Sequence, residues 1–298
     1  MTTQEKQSVF EDVTARIVEE LERGTVPWHQ PWAFGLTGHR NGASDRPYRG
    51  INPFILEAEA LKQGYEDRRW VTFKQAQRAG GRIRKGEHGV RIVFWKPIMV
   101  DDRDNPGKKK AIPMLRTFVV FNVAQTEGID WPEVLEREPV EPIAAMDELI
   151  AGYAGAPSIR HGGGRAAYAP DADVLFMPDS ADFESPEAYY QTLAHELIHS
   201  TGHGSRLDRK LDTTFGSSQY GLEELVAEIG AAMLLGVAGV EPQYQQSAAY
   251  VKNWLQALQD DPKMIVVAAA RAQKAVDYIL GVTFEEETNN LAAAPAAA

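Results

Sequence analysis

Nine consecutive residues hold the densest chemistry in this chain: His195-Glu196-Leu197-Ile198-His199-Ser200-Thr201-Gly202-His203. The first five read H-E-x-x-H. On a helix, positions i and i+4 share one face. Both imidazoles can then reach one metal ion, and Glu196, one residue along, lies beside a water on that ion. A divalent metal lowers the pKa of its water from 15.7 to roughly 7, which makes hydroxide available at neutral pH. Two imidazoles and a carboxylate so spaced are the beginnings of a hydrolytic metal site. The same pattern can arise on an amphipathic helix whose histidines are merely hydrogen bonded. Against that stand Leu193, Ala194, Leu197 and Ile198, whose apolar character buries the segment and leaves His195 and His199 in need of partners.

A third ligand has to come from elsewhere, and from Leu222 onward the chain reads as a second buried helix. Leu225, Val226, Ile229, Ala232 and Leu235 supply its apolar faces. Glu224 and Glu228 are spaced i, i+4 and project from one side, where like charges repel. Such a pair in so apolar a helix calls for a cation nearby, or for protonation. Zincins of the thermolysin type follow H-E-x-x-H with E-x-x-x-D on the next helix. There the first acid binds metal and the second orients a histidine ligand. The E-x-x-x-E here is similar, so Glu224 is expected as the third ligand and Glu228 as the partner behind His195, the reverse assignment being open. Glu223 reads as a solvated helix residue.

Other ligand schemes fail or weaken. A metzincin needs a histidine where Ser205 stands. Gly202 and Gly204 flank His203, and glycine commonly ends a helix. The helix is expected to stop near Thr201, which takes His203 off the shared face and leaves it near the site, beside substrate. His203, Arg206 and Tyr220 are the residues that could stabilise an oxyanion. There is no Cys, which excludes thiolate ligands and disulfides.

The elements that must position these residues divide the chain in two. A length of 298 residues allows one or two domains. The net charge of -11 is unevenly spread: residues 1–130 carry 21 Lys+Arg against 17 Asp+Glu, while 131–298 carry 10 against 25. Pro132, Pro139 and Pro142 punctuate an acidic stretch, so the reading is an N-terminal domain over 1–130, a linker over 131–142, a second domain over 143–288 and a disordered Ala-rich tail over 289–298. The polar N-terminus lacks the apolar core of a signal peptide. No run of about 18 apolar residues offers a membrane span. A cytoplasmic location without membrane contact is the expectation.

In the N-terminal half, Val9, Val13, Ile17 and Leu21 form a single helical stripe. A second helix ends near Gly64, and strands are expected at 90–97 and 117–123 with a mobile charged tip over 101–110. A helix over 143–154 opens the second half. Basic residues interleaved with aromatics suit single-stranded DNA: phosphates need Lys or Arg, and each stacked base is worth roughly 1–3 kcal/mol. The candidates are Tyr48, Arg49, Trp70, Phe73, Lys74, Arg82, Arg84, Lys85, Trp95 and Lys96. Phe73, Phe94, Phe118 and Phe121 read more readily as core than as stacking platform.

Longer motifs carry a more specific resemblance. Pro47-Tyr48-Arg49-Gly50-Ile51-Asn52, Trp70-Val71-Thr72-Phe73-Lys74-Gln75-Ala76 and Gly80-Gly81-Arg82-Ile83-Arg84-Lys85-Gly86-Glu87 stand in the first half. HELIHSTGH, Arg206-Leu207-Asp208-Arg209, Glu223-Glu224-Leu225-Val226-Ala227-Glu228 and Tyr250-Val251-Lys252-Asn253-Trp254-Leu255 stand in the second. Together, over nearly the whole chain, they resemble the ArdC family of plasmid-borne antirestriction proteins. The resemblance implies an α+β fold: an N-terminal α+β domain binding single-stranded DNA, then a zincin-like metallopeptidase domain, mostly helical with a small sheet. It also implies protection of incoming conjugative DNA from host restriction.

A peptidase reading assigns one divalent metal, Zn with Mn as an alternative, to His195, His199 and Glu224, and makes Glu196 the general base. Val174–Met177, a strand-like run before the motif helix, is the candidate edge strand for an extended substrate, an ordinary core strand being the alternative. The substrate would be a host restriction subunit or another DNA-bound protein. A DNA-binding shield whose metal site is structural or vestigial is the runner-up, and a metal-dependent nuclease comes third.

Overall fold

The computed structural model describes residues 3–23, 26, 38–101, 109–132, 141–209, 211, 218–241 and 248–283. The first helix, α1 (Thr3–Glu22), buries Val13, Ile17 and Leu21 on the stripe read from sequence. β1 (Arg40–Asn41) follows, then α2 (Asn52–Gln63), which starts with a proline in its first turn and ends on Gly64. Gly64 adopts φ 69, the left-handed conformation that lets its amide turn back onto Ala60 and Leu61.

Next come β2 (Arg69–Thr72), α3 (Phe73–Arg78), β3 (Arg82–Ile83), β4 (Val90–Asp101), β5 (Lys109–Asn122) and β6 (Thr126–Glu127). Four of these strands form a sheet in the order β1-β2-β5-β4, and β3 pairs with β6. The α3 start is fixed by a reciprocal cap in which Thr72 accepts from the Gln75 amide while the Gln75 side chain accepts from that of Thr72. The β4–β5 ribbon is longer than expected, running to an Asp101–Lys109 pair. Opposite charges facing across the ribbon favour continued pairing; of the expected mobile tip, residues 102–108 lie outside the described residues. Asn52 closes the free side of β4, donating to Val93 O at 2.7 Å and accepting from Val93 N at 2.8 Å.

The second half opens with α4 (Pro142–Gly152) and continues through β7 (Ser158–His161), β8 (Ala167–Ala169), β9 (Val174–Met177), α5 (Pro186–Ser200), α6 (Ser218–Ala238), α7 (Ala248–Asp260) and α8 (Met264–Ile279). Its sheet has the order β7-β9-β8. Val174–Met177 is therefore the central strand, not the edge; the edge beside α5 is β8. Val174, Leu175 and Met177 are buried, which explains why the most strand-like run sits in the middle. The α5 helix stops at Ser200, as the glycines implied, while α6 begins four residues earlier than its apolar pattern.

Close approach of α5 to α6 depends on Gly230. A Cβ there would lie 2.8–2.9 Å from the Ile198 side chain, inside any tolerable contact. The helix faces bearing His195, His199, Glu224 and Glu228 are thereby brought together. The two halves share one apolar cluster, with Val13 and Ile17 in the same core as Leu258 and Ile265. Thr14 Oγ1 donates to Pro262 O at 2.6 Å, Gln273 accepts from the Gly50 amide at 3.1 Å, and Arg49 pairs with Asp277. Of the expected linker, 133–140 lie outside the described residues, as does the expected tail.

Candidate metal centre

Burial of Leu193, Ala194, Leu197 and Ile198 fixes the rotation of α5 and turns His195 and His199 toward α6. His195 Nε2 and His199 Nε2 lie 3.1 Å apart. Glu224 completes the triangle, one carboxylate oxygen 3.6 Å from His195 Nε2 and the other 3.6 Å from His199 Nε2. Metal bonds of about 2.1 Å at tetrahedral angles separate neighbouring donors by about 3.4 Å. The carboxylate faces both rings with a different oxygen to each, and one donor atom from each of the three side chains falls within 4.8 Å of the others, close enough to converge on one ion. Two nitrogens and a carboxylate oxygen fit a borderline divalent cation.

Each ring is also held from behind. Glu228 Oε1 lies 3.6 Å from His195 Nδ1. Glu223 Oε1 lies 3.3 Å from His199 Nδ1. Glu223 is buried, contrary to the solvated reading, because Arg209 neutralises it with contacts of 2.7 and 3.0 Å to its two oxygens. Tyr220 hydrogen bonds to the Glu224 carboxylate.

These neighbours set the charges. Burial alone would lower the His195 pKa, but the hydrogen bond to Glu224 and the charges of Glu228 and Glu196 raise it to about 9. Burial alone would raise the Glu224 and Glu223 carboxyls. Hydrogen bonds outweigh it at both, from His195 at Glu224 and from His199 and Arg209 at Glu223, and hold both below the ordinary glutamate range.

Glu196 points to the edge strand: its Oε2 accepts from the Tyr168 amide of β8 at 2.7 Å. The Tyr168 hydroxyl in turn donates to Asp173 at 2.7 Å and receives Arg206 Nη2 at 3.0 Å. Arg206 is near the site but fully engaged. Its Nε donates to Ser200 O at 2.7 Å, its Nη1 to Gly155 O at 2.9 Å, and Nη2 also pairs with Asp173. It braces the end of α5 against the β8–β9 turn rather than offering an oxyanion donor. His203 lies past the helix end, its Nδ1 accepting from Ser205 N at 3.2 Å. Arg209, Tyr168, Asp173 and the buried contacts of Glu223 were missed by sequence reasoning; the Arg206–Arg209 and Glu223–Glu228 motifs were the signals that pointed at part of this network.

The DNA candidates separate by burial. Trp70 is fully buried and donates its indole N–H to His39 Nδ1 at 3.0 Å, so no base can stack on it. His39 Nε2 then donates to Glu57 Oε2 at 2.6 Å, and Arg68 pairs with the same carboxylate. Tyr48 is partly buried and packed against the core: burial pushes its phenol to about 12, and its hydroxyl accepts from Asn41 at 3.2 Å. Arg49 is committed to Asp277. Phe73 is 50% exposed, and Lys74, Arg82, Arg84 and Lys85 are exposed as well. Arg82 touches Glu127 at 2.5 Å and Arg84 touches Glu87 at 2.7 Å. Phe94 is 44% exposed, against its core reading. The side chains of Trp95 and Lys96 lie outside the described residues.

Comparison with known proteins places the chain. The N-terminal domain of anti-restriction factor ArdC matches residues 7–121, and a zincin-like metallopeptidase family matches residues 144–271. The antirestriction protein ArdC of plasmid R388 has been solved without metal and with Mn(II). Both structures are 39% identical and cover 91% of this chain and 96–97% of theirs, with TM-scores of 0.71 and 0.73. The chain belongs to the ArdC family. Among curated sequences it is 38% identical to a DNA primase TraC of Escherichia coli over 98% of its own length, and 34% identical to the y4eC protein of Sinorhizobium fredii over 97% of both. It spans 29% and 20% of two TraC primases it matches. The ArdC relationship brings with it the mixed α and β architecture and the order of an N-terminal ArdC domain before a zincin-like one. Among the described residues no helix is long and apolar enough to cross a membrane.

Proposed function

We propose that this chain is a cytoplasmic antirestriction protein that binds single-stranded DNA through its N-terminal half, about 1–130, and holds one divalent metal in its C-terminal half, about 143–288. His195, His199 and Glu224 are the ligands, and Zn or Mn suits them. The observation that carries the reading is the convergence of two imidazole nitrogens 3.1 Å apart and a carboxylate that faces both at 3.6 Å, a donor set suited to one divalent ion. Support also comes from the Mn(II)-bound relative and from the exposed Phe73, Lys74, Arg82, Arg84 and Lys85.

When bound, the metal supplies Lewis-acid polarisation of a carbonyl and a more acidic water. Glu196, next to His195 on α5, would leave the Tyr168 amide to take a proton from water and return it to the leaving amine. Tyr168 then has its amide free on the β8 edge, where an extended peptide can pair. The substrate would be a host restriction subunit or another DNA-bound protein. A second reading, a DNA-binding shield whose metal only braces α5 against α6, draws on the engagement of Glu196 with Tyr168.

Glu196→Ala separates the two. Loss of protection of transferred DNA, with DNA affinity intact, supports the peptidase; full protection supports the shield. For the DNA half, single-strand affinity should fall steeply with salt and exceed duplex affinity. Salt-independent binding would rule out a basic stacking surface.

A further inference from the structure

Glu223 and Arg209 are not accounted for by the ligand set, yet both are buried beside it. The Arg209 side chain is 6% exposed and that of Glu223 11%. Arg209 is tied at every donor group: Nη1 to Thr201 Oγ1 at 2.6 Å, Nη2 to Ile198 O at 2.8 Å and to Glu223 Oε1 at 2.7 Å, Nε to Glu223 Oε2 at 3.0 Å. Its anchors Ile198 and Thr201 flank His199, and its cargo Glu223 precedes Glu224 on α6. The carboxylate so gripped presents Oε1 to His199 Nδ1 at 3.3 Å. A carboxylate can only accept, so the ring nitrogen facing it must carry the hydrogen. That leaves the lone pair on Nε2, which points at His195 Nε2 and Glu224.

We infer that Arg209 and Glu223 form a positioning pair that fixes the tautomer and ring orientation of His199, so that Nε2 is presented ready for a divalent metal. The inference rests on the metal reading proposed above. It differs from a packing role in what it demands. A brace between α5, the 201–209 turn and α6 needs only the size and charge balance of Glu223, whereas positioning needs an acceptor at Nδ1. Histidine ligands characteristically donate their second N–H to such an acceptor, and loss of one costs about 10–100-fold in metal affinity.

The test is calorimetric titration of the full metal-free chain with Mn(II) for the wild type, Glu223→Gln, Glu223→Met, Arg209→Met and Glu224→Ala, with thermal unfolding of each. The glutamine keeps an oxygen for Nδ1–H and should bind within about tenfold of wild type; the methionine should lose about 10–100-fold. Arg209→Met should fall between them. Imidazole proton–nitrogen NMR of the metal-free chain should show His199 as the Nδ1–H tautomer in wild type and Glu223→Gln, and a mixture in Glu223→Met. Affinity within twofold of wild type in Glu223→Met, with Glu224→Ala no longer binding, would overturn the positioning role and leave the metal site standing. Equal weakening by Gln and Met, in step with equal losses of stability, would reduce the pair to a brace. No Mn(II) or Zn(II) binding by the wild type would overturn the metal reading and this one with it. Should Glu223→Met not fold, the tautomer in Glu223→Gln and Arg209→Met decides the question.

Discussion

Two clusters in this molecule set histidine rings against carboxylates and an arginine, and they come to opposite ends. In the N-terminal half His39 is wholly buried between Trp70 Nε1 at 3.0 Å and Glu57 Oε2 at 2.6 Å, with Arg68 on the same carboxylate. Both ring nitrogens are spent, one accepting and one donating. Burial lowers the His39 pKa, and the geometry agrees, since a proton on Nδ1 would face the Trp70 N–H. In the C-terminal half His195 and His199 each use Nδ1 toward a glutamate and turn Nε2 toward the other ring. Their side chains keep 20% and 15% exposure. Surrounding acids push His195 up to about 9 in spite of burial. Residue types alone do not separate a structural histidine from a ligand. Whether a nitrogen is left over, and whether the leftover nitrogens converge, does.

The contrast can be broken at its strongest point in the closed cluster. Glu57→Ala strands the buried His39 and takes the carboxylate from the partly buried Arg68, and should cost about 3 kcal/mol, read by denaturant unfolding, with Mn(II) affinity unchanged. A loss below about 1 kcal/mol would mean that water or relaxation replaces Glu57. At the open cluster, Glu224→Ala removes the proposed third ligand and should weaken Mn(II) by more than about 100-fold, beyond what a supporting residue costs. The metal-free form should also lose some stability, because Glu224 is the hydrogen-bond partner of His195 and Tyr220. Retained affinity would shift the third ligand to Glu228.

Aromatic residues sharpen the comparison at smaller scale. Phe73→Ala should lower single-stranded DNA affinity by about 1–3 kcal/mol and leave stability within about 0.5 kcal/mol. Trp70→Phe keeps the buried ring but leaves His39 Nδ1 without its donor, and should cost about 1–3 kcal/mol of stability with DNA affinity unchanged. A reversed pattern would mean that Trp70 emerges when DNA binds.

The two clusters also respond to pH with opposite sign. The folded pKa of His39 lies below the ordinary 6.5, so as pH falls the unfolded chain binds the proton first. Its stability is full above 6.5 and declines as pH drops toward the folded value. Glu57 adds to this: burial raises its carboxyl, but hydrogen bonds from His39 and Arg68 hold it low, and protonating it at still lower pH breaks the network. His195 runs the other way. Held at about 9, it contributes fully below 6.5 and loses that contribution as pH rises through about 9. Melting of the metal-free chain should therefore weaken on both flanks, and Mn(II) should remove the alkaline flank alone.

Much of this was legible from residue order, and the failures have definite causes. The i, i+4 pairs on two helices needed only helical geometry, so His195, His199, Glu224 and Glu228 could be named before their helices were seen to touch. Glu223 could not, because adjacent helix positions lie 100° apart and only the seat of α6 on α5, set by Gly230 against Ile198, turns both Glu223 and Glu224 inward. Trp70 reads as a stacking platform beside so many cations, yet β2 lies between β1 and β5 and its alternation sends Trp70 into the core. Strand order was equally hidden: β9 has the stronger strand composition because it is central, while the edge that meets Glu196 is the plainer Ala167–Ala169.

The central claim is that His195, His199 and Glu224 jointly hold one divalent ion. Anomalous diffraction from crystals of the metal-free protein soaked in Mn(II) tests it most directly. The account predicts a single strong peak about 2.0–2.2 Å from His195 Nε2, His199 Nε2 and a Glu224 oxygen, with Glu223 and Glu228 still behind the rings. No peak between the rings, or one bound to Glu228 or Glu223 in place of Glu224, would contradict it.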